Sequence, residues 1–143
     1  PGKIKMATAG CPRNCSEALV KDIGAVAVEG GKWEIYVGGA AGAHVRKGDL
    51  LTVVDSHEDA IQYMGRFLQY YRESAKYLER TYSWVERIGI AKIRAVVVDD
   101  SEGIANRLDA ALQKSVDAYF DPWREASKPK TENQFKSLLP IVQ

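Results

Sequence analysis

The hydrophobic period changes once along this chain, near Ser56, and that change fixes the class of fold open to it. Before Ser56 apolar residues alternate or sit in short valine-rich runs, the period of strands. Lys3–Ala9 places Ile4, Met6 and Thr8 on one face and Lys3 and Lys5 on the other. Ile23–Glu29 is short and apolar, and Lys32–Val37 alternates Trp33, Ile35 and Val37 against Glu34 and Tyr36. Gly30-Gly31 between those two segments predicts a hairpin. His44–Arg46 and Leu50–Val54 read as further extended segments around a Lys47-Gly48-Asp49 turn.

After Ser56 the period is helical. Ser56 with Asp59 resembles a capping box, and Ile61, Met64, Leu68, Tyr71, Ala75 and Leu78 make an amphipathic stripe running to about Arg80. Ser83–Arg87 and Ile90–Val98 read as a helical pair broken at Gly89, although the valines of Ala95–Val98 also suit a strand. Ser101–Tyr119 predicts a further helix with Ile104, Leu108, Leu112 and Val116 on one face, stopped by Asp121-Pro122. Ser127–Asn133 reads as a linker or flexible tail, and apolar Leu138–Val142 as a segment suited to docking on a partner. Strands followed by helices are an α+β pattern, not alternating βαβ.

Several function classes are excluded. The 143 residues carry a net charge of +1, so the chain as a whole has no electrostatic attraction for nucleic acid. Seven basic and eight acidic side chains lie in residues 51–100, so Tyr63, Tyr70, Tyr71, Tyr77, Tyr82 and Trp84 read as core and interface, not as a base-stacking platform. No apolar run approaches the ~20 residues of a membrane helix, and no signal peptide is visible. Two cysteines do not make a secreted disulfide scaffold, which points to a cytoplasmic protein. The chain opens at Pro1 in strand-like sequence, and so reads as a piece of something longer.

The chemistry is concentrated in Cys11-Pro12-Arg13-Asn14-Cys15. Gly10, Pro12 and Asn14 shape a loop, and Ser16–Asp22 predicts a short helix after it with Asn14 or Ser16 as N-cap. Two thiols four positions apart on such a loop can reach one metal centre, and N–H groups at a helix start favour thiolates. Lys3, Lys5 and Arg13 give residues 1–15 three positive charges and no acid. On spacing alone other readings stay open: two small loop or core residues, a disulfide, or zinc shared between chains. A zinc finger needs four ligands, and His44 and His57 match no usual spacing. His57 reads as exposed, whereas His44 neighbours the small-residue loop Gly38–Ala43. That loop lacks the GxGxxG spacing of a dinucleotide turn and does not lead into a helix.

Gly10–Glu17 (GCPRNCSE), Ile23–Glu29 (IGAVAVE) and Trp33–Gly39 (WEIYVGG) together resemble the sirohaem and 4Fe–4S domain shared by nitrite and sulfite reductases. More narrowly they resemble the C-terminal part of the large subunit of assimilatory NAD(P)H nitrite reductases. Phe67–Arg80 and Trp84–Gly89 look like the helical region of the same subunit, and the resemblance covers about Lys3–Asp100. It implies half of an α+β haem domain with a mostly antiparallel sheet over residues 1–100, then a helical extension and flexible tail over 101–143.

The resemblance also implies a role for each site residue. Cys11 and Cys15 would be two of four cysteine ligands of a 4Fe–4S cluster, with Cys15 bridging to the sirohaem iron. Arg13 and Asn14 would lie close to the cofactors, beside the alternatives of a surface charge and a helix cap. Lys3, Lys5 and Arg13 are candidates to meet the carboxylates of sirohaem, with a solvated surface charge as the alternative for each, and Gly39 would let the backbone approach a large planar group, with a plain glycine-rich turn as its alternative. The reaction implied is six-electron reduction of nitrite to ammonium, with electrons from NAD(P)H through FAD in the N-terminal part of the subunit. The upstream cysteine pair and the substrate-binding cations of the family are absent here. The chain is therefore expected to be an inactive half-site that needs the rest of the large subunit, with a small subunit as a further partner. A sulfite reductase fragment and a non-catalytic helical interaction module spanning Glu58–Tyr119 are the alternatives.

Overall fold

The computed structural model describes residues 1–126; the expectations for Ser127–Asn133 and Leu138–Val142 lie outside the described residues. Four strands form the main sheet, in the order β1 (Met6–Ala9), β2 (Ile23–Val28), β3 (Lys32–Val37) and β6 (Asp49–Val54). Only β1 and β2 are parallel; the other pairs are antiparallel. Between β3 and β6, the strands β4 (Ala40–Ala41) and β5 (Val45–Arg46) make a small antiparallel ribbon from the loop of small residues. The β2–β3 hairpin turns through Glu29–Gly31, where Gly30 and Gly31 both take positive φ that a side chain would oppose.

The helices α1 (His57–Ser74), α2 (Thr81–Ile88), α3 (Ile90–Val97) and α4 (Ala105–Asp117) follow, then one short helix, α5 (Pro122–Ala126). The result is an α+β fold, as the single change of period requires. Among the described residues no helix is long and apolar enough to cross a membrane.

The main core lies between the sheet and the helices. Ile23, Ala25, Ile35, Val37 and Leu51 face Phe67, Tyr71, Trp84, Val85, Ile93 and Val97. Trp84 is the hub, meeting Phe67, Tyr70 and Tyr71 edge-on at centroid distances of 5.4–5.5 Å, a favoured aromatic geometry. Ser56 caps α1 by accepting from the Asp59 N–H at 3.0 Å. The valines at the end of α3 resolve as helix because Ile93, Val96 and Val97 share one buried face. A smaller cluster on the opposite face of the sheet joins Ala9, Ala18 and Val26, with Leu19 packed against it. Gly24 makes that contact feasible: a Cβ there would stand 2.7 Å from the Ala18 carbonyl carbon.

Several sequence expectations shift. In β1, Met6 and Thr8 are exposed although they pair in register with buried Ile23 and Ala25, because β1 is the edge strand of the sheet. Instead of a helix over Ser16–Asp22 there is one 3-10 turn, Ala18–Val20, preceded by Asn14 and Glu17 in left-handed conformation. Helix α1 ends at Ser74 and not near Arg80. The Glu79 carboxylate accepts the Lys76 N–H at 2.8 Å, and this side chain–backbone bond competes with further helix. Its buried face is Ala60, Phe67 and Tyr71, leaving Ile61 and Leu78 exposed. Helix α4 starts at Ala105, whose N–H Asp100 accepts at 2.9 Å, and Val116 projects to solvent. Arg66 ties α4 to α1 through a bidentate pair with Asp109, at 2.9 and 2.6 Å, and reaches the Val97 carbonyl at 3.0 Å.

Candidate functional site

The five-residue cysteine loop leaves the end of β1 and returns to the sheet through the 3-10 turn. Its shape is set locally. The Asn14 N–H donates to the Cys11 carbonyl at 3.1 Å, and the Glu17 N–H donates to the Asn14 carbonyl at 2.9 Å. Asn14 Oδ1 accepts from the Leu19 N–H at 3.3 Å, so this side chain holds the exit of the loop. Ser16 is not a cap; its hydroxyl donates to the Thr8 carbonyl at 2.6 Å and fastens the loop to β1.

Both thiols are free and exposed. Unpaired cysteine is among the most buried of residue types, so two exposed thiols on one braced loop are unusual, add little to packing and are accessible from outside. Arg13, between them, is also exposed. No cluster of three or more histidine, cysteine, aspartate or glutamate side chains able to hold a metal exists among the described residues. His44 stacks on Tyr82 at 5.1 Å and faces Glu86 at 3.5 Å, while exposed His57 lies against Trp33 at 5.4 Å. The donor set is therefore two soft sulfurs. It fits an iron–sulfur cluster as two of four ligands and does not fit a closed zinc site among the described residues.

Behind the loop the 3-10 turn rests on the Gly38–Ala43 segment. The Gly38 N–H donates to the Asp22 carbonyl and the Gly39 N–H to the Lys21 carbonyl, each at 2.9 Å, and the Gly48 N–H donates to the Leu19 carbonyl at 2.7 Å. Gly39 is small because of this contact: a Cβ would stand 2.6 Å from the Lys21 oxygen and 2.9 Å from the Leu19 oxygen. Gly42, at the open tip, has nothing within 4 Å of its Cβ position.

A cavity of about 310 Å³ opens between these segments. Its wall holds Lys5, Lys21, Arg80 and His44, with Val20, Asp22 and the Ala40–Ala43 ribbon. Lys5 was legible in the sequence as part of the basic approach; Lys3, its neighbour, does not line the cavity. Lys21 and Arg80 were not legible, because they arrive from separate elements. Asp22 organises the wall. It is buried at 2 % exposure, accepts the Lys5 N–H at 2.8 Å and an Arg80 Nη2–H at 2.7 Å, and takes a further bond from the Thr81 hydroxyl. One carboxylate thus joins the N-terminal segment, the start of β2 and the start of α2. Nearby, the Arg87 guanidinium and then the Lys76 N–H hold the Glu79 carboxyl down to about 2, against the cost of its partial burial.

Comparison with known proteins places this geometry in context. Residues 1–104 match the family described as "Nitrite and sulphite reductase 4Fe-4S domain". The chain is 44% identical over 130 residues to the nitrite reductase [NAD(P)H] of Bacillus subtilis, covering 91% of this chain and 16% of that protein. It is 36% identical over 142 residues to the nitrite reductase (NADH) large subunit of Escherichia coli, covering 97% and 17% respectively. It is also 36% identical over 98 residues to the assimilatory-type sulfite reductase of Nitratidesulfovibrio vulgaris, covering 68% of this chain and 44% of that protein. The chain thus spans about a sixth of the length of these nitrite reductase relatives.

Proposed function

We propose that this chain, which belongs to the nitrite and sulphite reductase 4Fe–4S domain family, contributes half of the cofactor site of an assimilatory nitrite reductase. Cys11 and Cys15 would hold a 4Fe–4S cluster as two of its four thiolate ligands, and Cys15 would be the one shared with sirohaem. The observation that carries this reading is the exposure of both thiols on one loop braced by Asn14 and Ser16. When bound, the two groups would supply one-electron steps to nitrite; six such electrons, drawn from NAD(P)H, with eight protons from solvent give ammonium and two waters.

The residues of this chain hold and orient. Loop hydrogen bonds fix the two sulfurs relative to β1, so they need little reorganisation to meet iron. Arg13 sets a positive charge beside the sulfurs, which offsets the negative charge of a thiolate-ligated cluster. Asn14 keeps the loop in shape from behind, and Gly39 lets the ribbon pack against the 3-10 turn that carries the loop's exit. Two thiolates do not complete a cluster. The other two ligands, the nitrite-binding cations, and the FAD and NAD(P)H sites belong to the rest of the large subunit. The family match ends at residue 104, which supports a division into a haem-domain half over 1–100 and a helical extension beyond it. The nitrite reading is preferred over sulfite because the relative at 44% identity over 91% of this chain is named a nitrite reductase.

The test is Cys15→Ser and Cys11→Ser in the complete large subunit, with iron, acid-labile sulfide and the visible spectrum measured beside nitrite turnover. Both variants are expected to lose cluster and sirohaem absorption, with turnover down at least about a hundred-fold, since even the outer-shell partners of metal ligands cost about 10–100-fold when lost. Full iron content and normal turnover in Cys15→Ser would overturn the reading and leave a docking role for the helical region.

A further inference from the structure

The two cysteines of the loop are not held alike. Cys15 lies between two residues whose side chains both tie it to the fold. On one side, Asn14 Oδ1 accepts the Leu19 N–H at 3.3 Å. On the other, the Ser16 hydroxyl donates to the Thr8 carbonyl at 2.6 Å. Thr8 is itself fixed, because β1 pairs it with Ala25 of β2, a residue only 1 % exposed. Asn14 and Glu17, which bracket Cys15 and Ser16, take left-handed φ of 55° and 57°. Such a conformation costs free energy in a residue with a side chain and persists where surrounding bonds enforce it. Lys21 holds Glu17 further, at 2.9 Å. Cys11 has Gly10 and Pro12 as its neighbours. Neither has a side chain able to form a hydrogen bond, and a Cβ at Gly10 would meet nothing within 4 Å. The hold on Cys11 comes through its own carbonyl, which accepts the Asn14 N–H at 3.1 Å.

We infer that Ser16 is a positioning residue for the Cys15 sulfur, and that the loop is built as one fixed post, Cys15, and one adjustable arm, Cys11. The inference rests on the proposed function and goes beyond it: that function needs two accessible thiols, not two thiols held unequally. A thiolate shared by two metal groups must satisfy both at once, so its sulfur tolerates less drift than one that serves a single group. The rigid position in this loop is the one beside Ser16. Ser16 is exposed, so its hydroxyl bond holds the loop and not the core. Outer partners that orient a metal ligand are worth about 10–100-fold in metal affinity.

The experiment uses the complete large subunit with Ser16→Ala, with Ser16→Thr as the variant that keeps the hydroxyl, and with Ser115→Ala as a control. Ser115→Ala removes a hydroxyl–carbonyl bond of the same kind from α4. Three quantities are read: the rate at which iron passes to a chelator, the sirohaem absorption bands at equal sirohaem content, and the melting temperature of the cofactor-free subunit. Ser16→Ala is expected to release iron about ten-fold faster, the low end of the scale for an outer partner, and to shift the sirohaem bands. Its cofactor-free melting temperature stays at the parent value, and Ser16→Thr and Ser115→Ala match the parent in all three. Parent-like iron release and bands in Ser16→Ala overturn the inference. A lowered cofactor-free melting temperature in Ser16→Ala also overturns it, since the bond would then be a contact of the fold, and so does a Ser16→Thr variant that behaves as Ser16→Ala. Cys15→Ser in the same subunit separates this inference from the proposed function. If Cys15→Ser keeps its full iron, the proposed function fails; if it loses iron while Ser16→Ala matches the parent, only the positioning role fails.

Discussion

Replacing Gly39 with alanine should unseat the ribbon from the 3-10 turn, and the structure sets the size of the effect. The new Cβ would lie 2.6 Å from the Lys21 oxygen, 2.9 Å from the Leu19 oxygen and 2.9 Å from the Lys21 nitrogen. All three are backbone atoms, so no flexible side chain can swing away. Overpacking of this kind costs about 1–3 kcal/mol. The retreat also weakens the bonds from Gly39 to Lys21 and from Gly48 to Leu19, worth about 1 kcal/mol each. The restricted unfolded chain returns roughly 0.5 kcal/mol. The expected net loss is about 2–4 kcal/mol, or roughly 10 °C in melting temperature for a chain of this length. Gly42→Ala, three residues along the same segment, meets nothing within 4 Å and should stay within about 0.5 kcal/mol of the parent. Urea denaturation of the 143-residue chain, followed by the fluorescence of its tryptophans, gives both values. Equal stability of Gly39→Ala and the parent, or equal losses in the two variants, would refute the idea that backbone contact dictates this glycine.

Two further outcomes follow from the same structure. Asp22→Asn removes the charge that partly exposed Arg80 pairs with and weakens the charge-assisted bonds at this buried position, and should cost about 2 kcal/mol in urea denaturation; an Asn variant as stable as the parent would show that Asp22 is not the junction of these segments. Glu79 is held at about 2 in the folded chain against 4.5 for a free glutamate. Its contribution is therefore fully present above about 4.5 and is lost as pH falls through about 2, because the unfolded chain takes up the proton first. In Glu79→Gln the fall of the urea midpoint over that interval should be shallower than in the parent, and an unchanged slope would remove Glu79 from the acid response.

The period change at Ser56 and the glycines of the hairpin determine the α+β class and the strand segments, because alternation and turn chemistry act over a few residues. The spacing of Cys11 and Cys15, with the shaping residues between them, determines a loop that carries two thiols; on spacing alone their chemistry stays open, and it is the resemblance to a family that suggests one. Tertiary structure decided what local pattern does not encode. Helix α1 stops at Ser74 because Glu79 closes a turn that Arg87, arriving from α2, holds in place. The strip of α1 that is buried follows from where the sheet lies, so Phe67 is enclosed and Ile61 is not. The cationic cavity exists only because Lys5, Lys21 and Arg80 converge from three separate segments on Asp22. Charges distant in sequence add at a point only when the fold brings them there, and no window along the chain contains that sum.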